Sequence, residues 1–452
     1  MTRVSGLALI AFGVQWAGAN AFAAETLLPY SESVRAELVA AAQGRSRFDV
    51  PAPPAAHSVA LTVPDAFTDL AGKPMTVPWT ELLLAEFVKH KTSPNRAARG
   101  LGLLHVGMHD AIVLSDQLCR QKPPSPAVDP WRGCASHHAE SVVASAAARQ
   151  LRYLFVAEEG YFDRLAVELA RRAVEAGAAT NEAAQAGLAL GARIGERMVE
   201  YAESDGTARG WNGLRLEWYG EGRYYGPGAW EPTPPYFYYP PEEPFAPTWK
   251  TWLMSSAEQF RPTPPRFGSE RYMRDLLEVR SVLDHLTEEQ KRIAGFWADG
   301  RGSVTPPGHW NQVALQLVAK RTDADSLRVA VVFARLNQAL ADAFIAAWDC
   351  KYAYWTARPI TAARYLLGVE LLPVILTPAF PSYVSGHATF SGAAAAVLGS
   401  YFPDQSDALT RMAEEATLSR LYAGIHFRFD NEDGLALGRK IGGLAVPRDH
   451  RK

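Results

Sequence analysis

Three stretches concentrate the residues able to do chemistry: KYAYWTARP (residues 351–359), PSYVSGHATF (residues 381–390) and SRLYAGIHFRFD (residues 419–430). They supply Lys351, Arg358, Arg420, His387 and His426, a set suited to surround a tetrahedral oxyanion. Lys351 and Arg358 lie seven positions apart, nearly two turns of helix, so a helix over residues 345–357 presents both cations on one face. Pro359 marks the break at its end. Ser385, Gly386 and His387 precede an alanine-rich run that reads as a helix. Its first turn leaves unpaired N–H groups, and Gly386 lets an anion approach the backbone. Ser385 either caps that helix or bonds the anion.

Arg420 and His426 are six apart and do not share a face of an ideal helix, so either Gly424 interrupts the helix or the two grip a ligand from different sides. His426 and Asp430 are four apart and can be neighbours. A carboxylate beside an imidazole fixes its tautomer and raises its basicity, which suits a histidine that attacks phosphorus or binds a metal. Three cations and backbone amides match the charge of a phosphate or vanadate trianion. Each residue alone is ordinarily a solvated cation or a satisfied core histidine; the ordered combination points to a site.

The three motifs, in this order, resemble those of the vanadium-dependent haloperoxidases and the acid phosphatases of the type 2 phosphatidic acid phosphatase superfamily. The resemblance implies that Lys351, Arg358, Ser385, Gly386 and Arg420 bind the oxyanion, that His387 is the acid–base residue, and that His426 is the vanadate ligand or the phosphate-accepting nucleophile, with Asp430 behind it. Val384 departs from the pattern, standing where that superfamily usually has proline. Trp348 and Phe380 match positions where the haloperoxidase branch places aromatics beside its halide and peroxide site. Residues 286–300, 306–310 and 228–235 are also similar to segments of bacterial haloperoxidase-like proteins. The likeness is good from residue 228 to about residue 443 and loose in the N-terminal third.

Two functions follow as expectations. The first is a vanadate-dependent haloperoxidase that oxidises halide with hydrogen peroxide to hypohalous acid, Trp348 and Phe380 forming a dry wall for the halide. The alternative is a periplasmic acid phosphatase hydrolysing a small phosphoester through a phosphohistidine on His426, with His387 protonating the leaving group and phosphate in the same site. The aromatics and the wider likeness favour the first. A periplasmic oxyanion binder without turnover is a third class, disfavoured because both His387 and His426 are present.

The elements that must position these residues read as helices. Residues 25–44, 79–91, 97–114, 139–154, 162–176, 181–203, 271–283, 287–297 and 326–347 carry helical periodicity, with Thr287 and Gln290 as a capping box. The expected fold is all-α, one large helical bundle or two side by side. Residues 205–265 are instead rich in Pro, Gly, Tyr and Trp and predict an ordered, irregular covering segment, lining the entrance or wrapping the fold or an oligomer interface. The expected organisation is a signal peptide over residues 1–23, an N-terminal helical region over 24–265 and the helical catalytic core over 266–446.

Residues 1–23 carry Arg3, an uncharged stretch and Ala21-Phe22-Ala23, which reads as a secretory signal peptide and implies a periplasmic or secreted protein. The competing reading, a retained anchor, needs a longer and more leucine-rich run. No other uninterrupted apolar run of membrane length stands out. A net charge of -2 gives no electrostatic case for nucleic acid or an anionic membrane. Oligomeric state stays open, a homodimer included. Cys119 and Cys134 flank a proline-rich stretch and either pair or remain thiols, while Cys350 reads as a small buried residue. His105 and His109, four apart, lack a third ligand motif, and His137-His138 reads as a solvated pair or a helix start.

Overall fold

The computed structural model describes residues 25–44, 61–68, 70, 73–120, 134, 136–158, 160–207, 223–321 and 325–446. Residues 1–23, where the sequence leads to the expectation of a signal peptide, and residues 208–222 lie outside the described residues. Fourteen α-helices run in order among the described residues. The first six are α1 (Glu32–Ala42), α2 (Thr76–Lys89), α3 (Pro94–Arg120), α4 (Ala139–Leu154), α5 (Tyr161–Glu175) and α6 (Asn181–Glu203). They are followed by α7 (Glu270–Asp284), α8 (Glu288–Phe296), α9 (Thr305–Ala319) and α10 (Ser326–Tyr354). The last four are α11 (Pro359–Leu367), α12 (Gly386–Tyr401), α13 (Ser406–Tyr422) and α14 (Arg428–Ala445). The molecule is all-α, as its periodicity predicts.

Helix starts follow capping chemistry. Ser31, Thr180, Ser269, Asp325 and Ser385 each accept a first-turn amide, and Thr287 with Gln290 forms the expected capping box. Helix α1 begins at Glu32 rather than at residue 25, because Ser31 caps it after Pro29.

Buried apolar side chains form two main clusters. The first runs from Leu28 to Ala202 and the second from Ala229 to Ala445. Ala330 of α10 belongs to the first and Ala98 of α3 to the second, so the two bundles share an α3–α10 seam. Helix α10 is long and apolar enough to cross a membrane, with a mean hydropathy of 1.5 in its most apolar window, yet 94% of that window is buried among neighbouring helices. It serves here as the axis of the fold. Helices α12 and α14 approach closely because Gly438 leaves room: a Cβ there would fall 2.0 Å from the Thr389 carbonyl oxygen. The motif at the start of α12 is joined to the motif at the start of α14 by Ser385 N–H, which donates to Asp430 O at 2.9 Å.

The described part of the aromatic segment is ordered and packs with the second cluster through Trp230, Trp249 and Met254. It ties down the loops that carry the motifs: Trp230 N–H donates to Trp355 O at 2.8 Å, Ala357 N–H to Gly228 O at 2.9 Å and Glu242 N–H to Ala379 O at 3.0 Å. Tyr224, Tyr225, Tyr236, Tyr238 and Tyr239 remain exposed.

The minor histidines are core groups. His105 is fully buried, with Nε2 2.9 Å from Thr80 Oγ1 and Nδ1 2.8 Å from Leu101 O. Neither member of the His137-His138 pair is solvated. Both are buried, His137 Nε2 lying 2.9 Å from Ser115 Oγ, because the pair starts α4 inside the first cluster. Cys119, Cys134 and Cys350 are free thiols. Burial raises the Cys134 pKa, but hydrogen bonds with His137, Cys119 and Ser136 outweigh it and bring it to about 6.

Candidate oxyanion site

Lys351 and Arg358 do not share one helix. Helix α10 ends at Tyr354, Trp355 adopts a left-handed conformation with φ 54°, and Arg358 is the extended residue before α11. Pro359 at the first position of α11 forces that extended geometry, so the chain turns before the second cation. The two converge by tertiary packing, both wholly buried.

Helix α12 opens on the second motif. Ser385 acts as its cap, its Oγ accepting from Ala388 N at 3.4 Å. Gly386 and His387 occupy the first turn, where amides lack helical partners. Gly386 has no positive φ, and a Cβ built on it would meet only Trp348 Cζ3 at an ordinary 3.6 Å. Neither backbone strain nor packing demands glycine there, and the space beside it leaves the backbone open to a ligand. In the third motif, α13 ends at Tyr422 and Gly424 takes φ +75°, so the helix is interrupted between Arg420 and His426.

His426 Nδ1 donates to Asp430 Oδ2 at 2.8 Å, which leaves the Nε2 lone pair free of a proton; Arg358 Nη1 donates to it at 3.0 Å. The same Asp430 oxygen accepts from Ser382 Oγ at 2.5 Å and Phe427 N at 3.2 Å. Burial raises Asp430 to about 6, against the pull of Ser382, Lys351 and Arg358. Burial, then Arg358, Lys351, Arg420 and His387, push His426 well below the usual histidine range. That all four act on one imidazole shows that the fold gathers them.

His387 is partly exposed while its Nε2 is buried and unpartnered. The backbone of Trp297 and Ala298 faces its ring and favours the protonated form, against a larger opposing effect of burial. Burial, then Arg420, holds it well below the usual range. Burial also lowers Arg358 to about 9 and Arg420 to about 10. Such concentrated positive charge in a dry site is an electrostatic seat for an anion, which would offset the repulsion and raise both imidazoles.

Among the site residues Arg358 Nη2, Arg420 Nε, His387 Nε2 and Asp430 Oδ1 are buried without a hydrogen-bond partner in the protein. The two guanidinium donors and the imidazole nitrogen, with the glycine at the helix start, fit a tetrahedral oxyanion such as vanadate. The Nζ of Lys351 donates to the carbonyls of Pro381, Ser382 and Val384 at 3.0, 2.8 and 2.5 Å, so its three protons anchor the loop before α12. Burial, then Arg358, lowers its pKa, while three acceptors favour the protonated form. Lys351 therefore acts on the site through its charge and through the loop it fixes.

Trp348 and Phe380 meet with ring centroids 4.8 Å apart. Phe380 also lies 5.2 Å from Lys351 Nζ and 4.9 Å from Arg358 Cζ. Trp348 Nε1 donates to Glu242 O at 2.9 Å, which leaves its ring as an apolar wall.

Sequence reasoning gave no individual role to the turn after α8. Trp297 O accepts from Arg420 Nη1 at 2.9 Å, and Asp299 Oδ2 lies 2.9 Å from His309 Nδ1 while its charge raises the pKa of Arg420. The signal was the FWADG peptide, noticed as part of a similar segment but not connected with Arg420. Ser382, held by Asp430, was likewise unassigned.

Known proteins share the domain and the fold. Residues 331–373 and 404–451 match the family described as the VCPO second helical-bundle domain. Vanadium chloroperoxidase of Curvularia inaequalis is 24% identical, the match covering 69% of this chain and 62% of the relative, so the chain spans about three fifths of that protein's length. The first bacterial vanadium-dependent iodoperoxidase of known structure is 25% identical with a TM-score of 0.67, over 82% of this chain and 95% of that one. A holo-type bacterial vanadium-dependent chloroperoxidase, 16% identical, shares the fold with a TM-score of 0.55 over 88% of this chain and 98% of its own. The chain thus carries a match to this helical-bundle domain and shares its fold with vanadium-dependent haloperoxidases of known structure.

Proposed function

We propose that the protein is a vanadate-dependent haloperoxidase, oxidising a halide with hydrogen peroxide to hypohalous acid. The observation that carries this reading is the buried convergence of Lys351, Arg358, Arg420 and His387 on His426, with Arg358 Nη2, Arg420 Nε and His387 Nε2 unpartnered. Vanadate, when bound, supplies a Lewis acid that activates peroxide without changing its own oxidation state.

The chain's residues divide the remaining work. His426 Nε2, its tautomer fixed by Asp430, is the ligand atom. Arg358, Arg420 and the first-turn amides of α12 hold the oxyanion's charge, and Lys351 adds a positive charge behind them. His387 would serve as the acid–base residue, taking a proton from peroxide and returning one to the oxygen that leaves. Trp348 and Phe380 exclude water from the approaching halide, which reacts better when poorly hydrated. Export to the periplasm or exterior is part of the proposal and rests on residues 1–23 alone.

A paired assay on protein stripped of metal and phosphate tests it. One arm contains vanadate, peroxide, bromide and a halogen-accepting dye; the other contains a chromogenic phosphomonoester without vanadate. Dye bromination that requires vanadate supports the peroxidase. Phosphoester hydrolysis inhibited by vanadate, without bromination, would replace it with an acid phosphatase using His426 as nucleophile.

A further inference from the structure

A second cluster of metal-ligating groups lies in the first bundle, apart from the oxyanion site. Glu86 and His90 are one turn apart at the end of α2, and Glu158 comes from a single helical turn (Val156–Glu158) after α4. One donor atom from each lies within 4.8 Å of the other two. His90 Nε2 is 3.1 Å from Glu86 Oε2 and 3.2 Å from Glu158 Oε1.

Two observations go beyond a group of charges. Glu86 is 6% exposed, and its Oε2 makes no hydrogen bond. His90 Nε2 makes none either, although the two atoms face each other. A buried carboxylate oxygen and a ring nitrogen held together without a hydrogen bond are two donors aimed at a shared third position. The spacing suits a small ion: with metal–donor distances of about 2.0–2.2 Å, the corners of a tetrahedron are about 3.3–3.6 Å apart. Phe155 steadies the His90 ring, the ring centroids being 5.0 Å apart. Lys89 supplies the charge now present, its Nζ 2.5 Å from Glu158 Oε1 and 3.5 Å from Glu86 Oε2. Its side chain is 52% exposed, so it can swing into water at small cost.

We infer that Glu86, His90 and Glu158 form a zinc site that clamps the end of α2 to the turn after α4, with Lys89 standing in for the ion when zinc is absent. One nitrogen and two carboxylate oxygens are a donor set for zinc, with a fourth position left for water. His90 faces a surface cavity also lined by Thr92, Arg96, Arg99 and Thr207, which gives the ion a path in.

Zinc chloride titrated calorimetrically into the metal-stripped full-length protein tests this, with melting temperature as a second readout. The expected result is one equivalent bound and a melting temperature that rises with zinc concentration. Glu158→Gln and His90→Gln should each remove that equivalent, and Lys89→Met should tighten it by about tenfold by deleting the competitor. Absence of saturable binding overturns the proposal. So does zinc binding that survives both Gln variants, which would place the ion elsewhere. Lys89→Met separates the readings when folding suffers: a mere ion-pair network predicts a lower melting temperature that zinc does not restore, whereas the zinc site predicts restoration.

Discussion

His426 and Asp430 form a buried pair one helical turn apart, Nδ1 donating to Oδ2 at 2.8 Å, and the same oxygen receives Ser382 and the Phe427 amide. One carboxylate oxygen thus sets the imidazole tautomer and ties the second motif's loop to the third motif. Asp430→Asn keeps the shape but removes the charge and lets an amide N–H face Nδ1. Oxyanion affinity, measured by calorimetric titration with orthovanadate and with phosphate, should fall about 10- to 100-fold. Affinity within about twofold of the parent would remove Asp430 from the ligand's support.

His387 makes a different prediction because its Nε2 is buried with no protein partner. His387→Ala should lower turnover by about 10²- to 10⁴-fold and change oxyanion affinity only a few-fold. Equal losses in affinity and turnover would make the residue a binding group rather than an acid–base one.

The oxyanion motifs were legible because their chemistry is local: Ser385 and Gly386 at a helix start, His426 and Asp430 one turn apart. The relation of Lys351 to Arg358 was not. Helical spacing placed them on one face, but Trp355 ends α10 and Pro359 begins α11, so tertiary packing brings the two together. The attachment of Arg420 to the turn at Trp297 spans 123 residues of sequence, and no periodicity reports contacts of that range. The all-α class was readable for the opposite reason, since most of the helices carry their own periodicity and six of them a side-chain cap. The shared α3–α10 seam, which decides between one bundle and two joined cores, depends on which apolar faces meet.

Phe380 sits over both Lys351 and Arg358 and against Trp348. Replacing it with histidine puts a hydrogen-bonding ring in the apolar wall and lets water follow. Chloride, the more strongly hydrated halide, should suffer most. The ratio of chloride to bromide turnover in Phe380→His is expected to fall about tenfold, equivalent to about 1.4 kcal/mol in relative barrier. An unchanged ratio would show that this ring plays no part in halide selection.

His105 gives a prediction about stability rather than activity. It is wholly enclosed between Thr80, Leu101 and Asn337, and burial lowers its pKa to about 4 from the ordinary 6.5. The folded protein resists protonating it where the unfolded chain does not, so the unfolded state binds more protons between those values. Its contribution is therefore fully present above pH 6.5 and is lost as pH falls toward 4, on the order of 3 kcal/mol over that window. His105→Gln removes the titration. The variant should be less stable than the parent at pH 7, by roughly 1–3 kcal/mol for the hydrogen bonds disturbed, and the gap should close as the pH drops. Urea unfolding of both proteins at pH 7, 5.5 and 4.5 measures it. Parallel stability curves would mean that His105 takes up its proton as readily in the fold as in the unfolded chain.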